Sequence, residues 1–214
     1  MKDFKVAALF PTPFYMAKLD DEFCDIAKEL ETQEVMHDDA EEEIYEGWGY
    51  VGKDTYVLNN TKYEKLRKEL LKHVQFFSNE ILCHDINKVL MSQSWVSKKE
   101  TGQAHGSHHH GNSYISGVFY WQDDIMPIVI EKPADTNTML YPFNQNLQHV
   151  VEARPVQSFE VSKGMLVLFE SHLNHAVQPN MQDETRYSLA FNTWPESVGG
   201  WDRLNLLDVN KLVD

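Results

Sequence analysis

Two stretches in the first half of the chain carry apolar residues at helical spacing. In one of them, Asp20 and Asp21 precede an apolar stripe, and short acidic side chains of this kind favour a helix N-terminus. In the other, Thr61 and Glu64 form a capping-box pattern. The apolar stripe that follows consists of Leu66, Leu70, Val74, Phe77 and Ile81. We therefore predict two amphipathic helices, and we interpret their stripes as core contacts.

From Val89 onward, apolar and polar positions alternate with a period of two, which is typical of strands with one buried face. The predicted strands cover residues 89–97, 113–121, 125–131, 156–161, 165–169 and 186–194. An earlier stretch, residues 5–19, predicts an edge strand or a broken strand pair because Pro11 and Pro13 cannot donate to a ladder. Early helices and late strands indicate an α+β protein, in which a β-sandwich or barrel carries helices on one outer face.

The length and composition place limits on the class of protein. A chain of 214 residues is long enough for one sizeable core, so we expect a single domain over residues 1–214. We divide it into a helical and edge-strand part (1–88), a β core (89–194) and a C-terminal tail (195–214). The net charge of −14 repels phosphate backbones, so we expect no binding to nucleic acid. No apolar run is long enough for a membrane span or a signal core, which predicts a soluble, cytoplasmic protein.

Four histidines lie within six positions immediately before a predicted strand. They are His105, His108, His109 and His110. Imidazole is the commonest metal-ligand side chain, and residues i and i+2 of an extended segment point to the same side. His108 and His110 can therefore face one cation while His109 faces away. Because two imidazoles alone hold a divalent ion poorly, this arrangement needs a third ligand from elsewhere in the chain.

A later segment offers that ligand. His175 follows the predicted strand of residues 165–169, and eleven residues further on Arg186 begins a strand-like run in which Arg186 and Ser188 share a face. A histidine cluster by itself is also typical of a solvated loop or an adventitious metal-binding tract. The sequence H-x-H, strand, distant His and R-x-S is much more specific than any one of its parts. We therefore interpret the two segments as one site.

Together these motifs resemble the iron(II)- and 2-oxoglutarate-dependent oxygenase superfamily. Most similar is an uncharacterised group of microbial and phage-encoded members with a histidine cluster, then N-S-x-x-S-G-V-x-Y, then a lone His, then R-x-S-x-A-F-N. The matching residues here are 105–110, 112–120, 164–175 and 186–192. The resemblance covers residues 89–194, about half the chain. It implies a double-stranded β-helix, or jelly roll, with the metal inside the mouth of the barrel.

The resemblance also implies roles for individual residues. His108 would be the first metal ligand and His175 the distal one. Arg186 would pair with the distal carboxylate of 2-oxoglutarate, and Ser188 would add a hydrogen bond on the same face. Asn192, in the same motif, is a further candidate for binding the co-substrate. The implied cofactors are Fe(II), 2-oxoglutarate and O2, and the implied reaction hydroxylates a C–H bond of an unknown substrate with release of succinate and CO2.

His110 departs from the pattern of the superfamily, which normally has a carboxylate at this position. We favour a site of three histidines, His108, His110 and His175. A carboxylate from elsewhere in the chain would be the alternative. The candidates that remain open are His105 and His172 as other histidines, and Glu170, Asp123 and Asp124 as carboxylates. The candidates for the pocket wall are Trp95, Tyr114 and Tyr120.

Two other functions fit the same residues. One is a cupin-like metalloprotein with three histidine ligands that does not use 2-oxoglutarate. The other is a non-catalytic jelly roll that binds a partner or has a structural role. The substrate of an oxygenase would be a small molecule or a protein side chain. An exposed barrel edge would allow a homodimer.

Overall fold

The alternating pattern of the second half of the chain folds into strands that form two antiparallel sheets. The computed structural model describes residues 11–37, 48–123, 125–131, 156–198 and 207–208. In chain order the elements are β1 (Tyr15–Lys18), α1 (Asp21–Lys28), β2 (Val35–His37), β3 (Tyr50–Gly52), α2 (Glu64–Phe76), β4 (Val89–Lys99), β5 (His105–His108), β6 (Ile115–Phe119), β7 (Ile125–Glu131), β8 (Val156–Val161), β9 (Met165–Glu170), β10 (His175–Val177), β11 (Arg186–Pro195), β12 (Ser197–Val198) and β13 (Leu207–Asp208).

The strands are arranged as a jelly roll. The large sheet has seven strands in the order β1-β9-β6-β11-β4-β3-β2, and the small sheet has four in the order β5-β10-β7-β8. The short strands β12 and β13 pair with each other. The predicted α+β fold with a double-stranded β-helix is therefore confirmed. All six predicted strands agree with the observed ones to within two residues at either end. The largest differences are in the first, which is extended to Lys99, and the second, which is shortened to Ile115–Phe119.

The strand alternation divides the apolar residues into two cores. On β9, Leu166 and Leu168 belong to a cluster that includes Leu66 and Leu70 of α2. Their neighbours Val167 and Phe169 belong to a second cluster, which contains residues of the small sheet such as Ile128 and Val161. Val167 and Phe169 therefore point to the side of β9 that faces the space between the two sheets.

The two helices lie where the apolar periodicity predicts them, but α2 begins and ends differently. A 3₁₀ turn, Thr61–Tyr63, precedes α2, and Asn60 caps this turn through its side-chain oxygen, which accepts a hydrogen bond from the Lys62 N–H at 3.0 Å. The predicted capping box of Thr61 and Glu64 is not formed, because the N-cap of α2 is Tyr63. After Phe76 the helix continues as a π-helical segment, Phe77–Ile81. The wider turn changes the phase of the stripe, so Phe77 is buried while Ile81 is exposed.

The N-terminal part of the chain extends the large sheet. Of the predicted stretch at residues 5–19, the structure describes residues 11–19, and β1 is an edge strand that pairs with β9. The two cysteines, Cys24 and Cys83, are both free thiols. Among the described residues, no helix has the length and apolar character needed to cross a membrane.

Candidate metal centre

Strand pairing in the small sheet brings the two histidine motifs together. β5 and β10 are antiparallel neighbours, and His108 lies directly opposite His175 in their register. His110 follows two residues after β5 and is held by its backbone N–H, which donates to the Ser171 carbonyl at 2.9 Å. Both β5 and β10 were absent from the sequence prediction, because they are only four and three residues long.

Three imidazoles converge at this point. The ring centroids of His108 and His175 are 4.2 Å apart, those of His110 and His175 are 5.1 Å apart, and those of His108 and His110 are 5.2 Å apart. Each residue offers one ring nitrogen, and these nitrogens all lie within 4.8 Å of one another. The three rings are therefore close enough to share one metal ion.

Backbone carbonyls orient two of the rings. His108 Nδ1 lies 2.9 Å from the Gly106 carbonyl oxygen, and His175 Nδ1 lies 3.0 Å from the Leu173 carbonyl oxygen. A neutral imidazole that donates from Nδ1 presents its lone pair at Nε2, which is the usual orientation of a metal ligand. This geometry leaves Nε2 of both residues free to face a metal ion.

The site favours neutral imidazoles. Burial, followed by the charge of the nearby His108, lowers the pKa of His110 to about 4. Burial and His108 likewise lower the pKa of His175 to about 3. Because a histidine binds a metal only when it is unprotonated, both residues are in the ligand form at neutral pH.

Of the alternative ligands that lie in the described part of the chain, none joins the three rings. The His105 ring lies 4.1 Å from His108 and stacks on Trp48, and it borders the same cavity without entering the group of three nitrogens. Glu170 pairs with Ile115 at the end of β9. His172 is exposed.

Carboxylates are also absent from the group in the part of the chain that the structure describes. Asp123 is exposed and borders a different groove. Asp124 lies outside the described residues.

The histidines line a cavity of about 60 Å³ between the two sheets. Trp95 and Tyr120, two of the candidates for the pocket wall, border it, and the Trp95 ring meets His110 edge-on at 5.7 Å. Tyr114 does not reach the cavity. Its hydroxyl is hydrogen-bonded to Ser78 Oγ at 2.8 Å and to His84 Nδ1 at 2.6 Å. Tyr114 instead packs against the core cluster that contains the helices, where these two contacts hold its hydroxyl.

Arg186 and Ser188 lie on the same face of β11, and Ser188 borders the cavity. The Arg186 side chain is buried, and among the described residues its Nη1 has no hydrogen-bond partner. Its guanidinium carbon lies 5.6 Å from the centroid of the Tyr120 ring. Burial lowers the pKa of Arg186, and the nearby Tyr120 opposes that shift. A buried cation with an unpaired N–H is suited to binding a carboxylate.

Arg186 itself does not line the histidine cavity, and the Tyr120 ring that it contacts lies between them. It borders instead a polar groove of about 510 Å³, which is also lined by Lys28 of α1 and by Gln182 and Thr185 before β11. Asn192 does not border either cavity. Its side-chain oxygen accepts a hydrogen bond from Ser116 Oγ at 2.7 Å.

The sequence analysis missed a group of hydroxyls next to the histidine segments, namely half-buried Ser113 and buried Ser116 and Ser171. Ser116 and Ser171 are buried, and their Oγ atoms are 2.8 Å apart. Ser113 and Ser116 are the two serines of the N-S-x-x-S motif, which was the one signal that pointed to them.

Residues 93–192 match the model of a family described as "Putative 2OG-Fe(II) oxygenase". The matched segment begins in β4 and ends in β11, so it contains the three converging histidines together with Arg186 and Ser188. Residues 93–192 belong to the 2-oxoglutarate- and Fe(II)-dependent oxygenase family. Oxygenases of this kind use Fe(II), 2-oxoglutarate and O2.

Solved structures share the fold of this oxygenase. A 2OG-Fe(II) oxygenase family oxidoreductase from Burkholderia pseudomallei aligns with a TM-score of 0.57 and 13% identity over 84% of this chain and 83% of that one. A prolyl-4-hydroxylase from Pseudomonas putida aligns with a TM-score of 0.54 and 14% identity over 85% and 92% of the two chains. HygX from Streptomyces hygroscopicus, solved with nickel, 2-oxoglutarate and hygromycin B, aligns with a TM-score of 0.55 and 12% identity over 86% and 83%. The sequence has no significant match among curated proteins.

Proposed function

We propose that this oxygenase binds Fe(II) through His108, His110 and His175, and that Arg186 and Ser188 hold a carboxylate of 2-oxoglutarate. The reaction would hydroxylate a C–H bond of a small molecule or a protein side chain and release succinate and CO2. The observation that carries the proposal is the convergence of three ring nitrogens within 4.8 Å. Arg186 on β11 of the large sheet supports it, because its Nη1 is buried and has no hydrogen-bond partner among the described residues.

The donor set fits a divalent transition ion. Three neutral imidazoles suit iron, and the orientation of His108 and His175 by backbone carbonyls matches the outer-shell contacts that metal-ligating histidines make. With His110 where the superfamily has a carboxylate, the protein ligands carry one negative charge fewer. The dianionic co-substrate would then supply all of the anionic charge at the site.

When bound, the iron and 2-oxoglutarate together supply the oxidant derived from O2. The residues of the chain contribute binding, orientation and exclusion of water. The Arg186 guanidinium offers charge-assisted hydrogen bonds to a carboxylate in a buried setting, where such bonds are strong. Phe169 and Val118 form an apolar part of the cavity wall, which would keep water from the reacting atoms.

The wider setting is also part of the proposal. We infer one oxygenase domain over residues 1–214, since β1, β2 and β3 extend the same large sheet that contains β4 and β11. We also propose that the protein is cytoplasmic. Its net charge of −14 would oppose binding to nucleic acid and to anionic membrane surfaces. Edge strands with exposed apolar residues, such as Met36 on β2 and Val156 on β8, support a homodimer.

Anaerobic titration of the Fe(II) protein with 2-oxoglutarate tests the proposal. We expect a metal-to-ligand charge-transfer band in the wild type, release of succinate after O2 is admitted, and loss of the band in His175→Ala. A wild type that binds Fe(II) with neither a band nor succinate release would contradict the use of 2-oxoglutarate. That result would favour a cupin-like metalloprotein with three histidine ligands.

A further inference from the structure

A row of buried polar side chains connects the two segments that carry the histidines. Ser171 Oγ donates a hydrogen bond to Ser113 Oγ at 2.9 Å and lies 2.8 Å from Ser116 Oγ. Ser116 Oγ in turn donates to Asn192 Oδ1 at 2.7 Å. The row therefore joins β6, β11 and the loop before His175.

Ser171 is the member of this row that contacts the H-x-H segment most extensively. Its carbonyl accepts from the His110 N–H at 2.9 Å, and its own N–H donates to the Tyr114 carbonyl at 3.1 Å. Together with its hydroxyl, all three polar groups of this fully buried residue bind the segment of residues 110–116. Four residues later the same chain segment provides His175.

These contacts affect the distance between the His110 and His175 rings. His108 and His175 lie opposite each other in paired strands, so their spacing follows from the sheet. His110 lies beyond the end of β5, where no strand partner sets its position. The position of His110 is fixed by the contacts of its segment with Ser171 rather than by pairing with a strand. Satisfying a buried hydroxyl would need only one partner, whereas Ser171 Oγ has two, both of them on the segment that follows His110.

We propose that Ser171 is a positioning residue, whose hydroxyl sets the separation of His110 and His175 and thereby the metal affinity of the site. This inference rests on the proposed three-histidine metal centre. Outer-shell contacts of metal ligands typically change metal affinity by about 10-fold to 100-fold. Because Ser171 acts through the backbone of the ligand segment, we expect an effect at the lower end of that range.

The test is an anaerobic titration of the full chain with Co(II), followed by the visible ligand-field absorption. In Ser171→Ala we expect about 10-fold weaker Co(II) binding and a changed absorption spectrum, because the hydroxyl contacts to Ser113 and Ser116 are lost. The matched control is Ser94→Ala. Ser94 is also buried, and its Oγ accepts a hydrogen bond from the Leu58 N–H at 2.9 Å, so this variant loses a comparable contact away from the histidines. Its Co(II) affinity and spectrum should match those of the wild type.

A folded Ser171→Ala variant with wild-type affinity and spectrum would overturn the proposal. If that variant does not fold, Ser113→Ala removes the half-buried partner of the same hydrogen bond, and wild-type Co(II) binding in it would equally overturn the proposal. The His175→Ala variant distinguishes failure of the proposed metal centre from failure of the proposed role of Ser171. Co(II) binding that survives this substitution would contradict the metal centre and the role of Ser171 together, whereas loss in His175→Ala with unchanged binding in Ser171→Ala would contradict only the latter.

Discussion

Replacing Arg186 with methionine should weaken co-substrate binding while leaving the protein at least as stable. The guanidinium is buried and its Nη1 has no hydrogen-bond partner among the described residues. A buried donor without a partner costs about 1–3 kcal/mol, which Arg186→Met removes. The substitution also removes the contact with Tyr120, worth about 1 kcal/mol. The metal-free variant should therefore be between unchanged and about 2 kcal/mol more stable than the wild type.

The same substitution has the opposite effect on 2-oxoglutarate. A carboxylate that is desolvated next to Arg186 would lose its charged partner, and breaking such a pair costs about 2–5 kcal/mol. At about 1.4 kcal/mol for each factor of ten, this corresponds to a dissociation constant that is roughly 30-fold to several thousand-fold higher.

Isothermal titration of the Mn(II)-loaded protein with 2-oxoglutarate measures this affinity, and urea unfolding of the metal-free protein measures stability. Arg67→Met is the matched control. Arg67 donates from Nη1 to the Leu58 carbonyl at 2.8 Å, so its loss should reduce stability and leave 2-oxoglutarate binding unchanged. Wild-type affinity in Arg186→Met would refute the assigned role, and a destabilisation of more than about 2 kcal/mol would refute the view that Nη1 of Arg186 has no partner in the metal-free protein.

Three further predictions concern the ligand set, the packing and the pH dependence. His175→Ala should lose Fe(II) content by metal analysis, while exposed His172→Ala should keep it, and equal content in both would undo the assignment. Gly117→Ala should lower the free energy of unfolding in urea by about 1–3 kcal/mol. The reason is that the new Cβ would lie 2.3 Å from Phe191 Cζ and 2.7 Å from Leu168 Cδ2. Gly111→Ala is the control and should have no such effect, because no atom lies within 4 Å of its new Cβ. The metal-free protein should lose stability as the pH falls from 6.5 towards 4, because burial lowers the pKa of His110 to about 4 and of His175 to about 3, so the unfolded chain binds more protons. Urea unfolding at pH 7.5 and 5.5 checks this, and a stability that does not change with pH would show that the imidazoles are not buried in their neutral form.

The sequence predicted those parts of the site that depend on local periodicity. Alternation along a strand places Arg186 and Ser188 on one face whatever their neighbours are, and the same rule turns Tyr120 inward. The long amphipathic stripe of α2 likewise predicts a helix, because most of its apolar residues repeat at helical spacing.

The parts that the sequence did not predict depend on contacts between distant segments. The register that sets His108 opposite His175 is a property of β5 and β10, which are too short to produce a periodic signal. Tyr114 precedes its strand, so its direction depends on partners in the helical region, Ser78 and His84. The motif made Asn192 a candidate for contact with the co-substrate. In the structure its side-chain oxygen accepts a hydrogen bond from Ser116, its neighbour across the sheet.

Diffraction from a crystal grown with Mn(II) and N-oxalylglycine, an unreactive analogue of 2-oxoglutarate, tests the central claim most directly. The account predicts one ion bound to Nε2 of His108 and His175 and to a ring nitrogen of His110, with a carboxylate of the analogue on the Arg186 guanidinium. An ion ligated by a side-chain carboxylate in place of His110, or an Arg186 that does not contact the analogue, would contradict it.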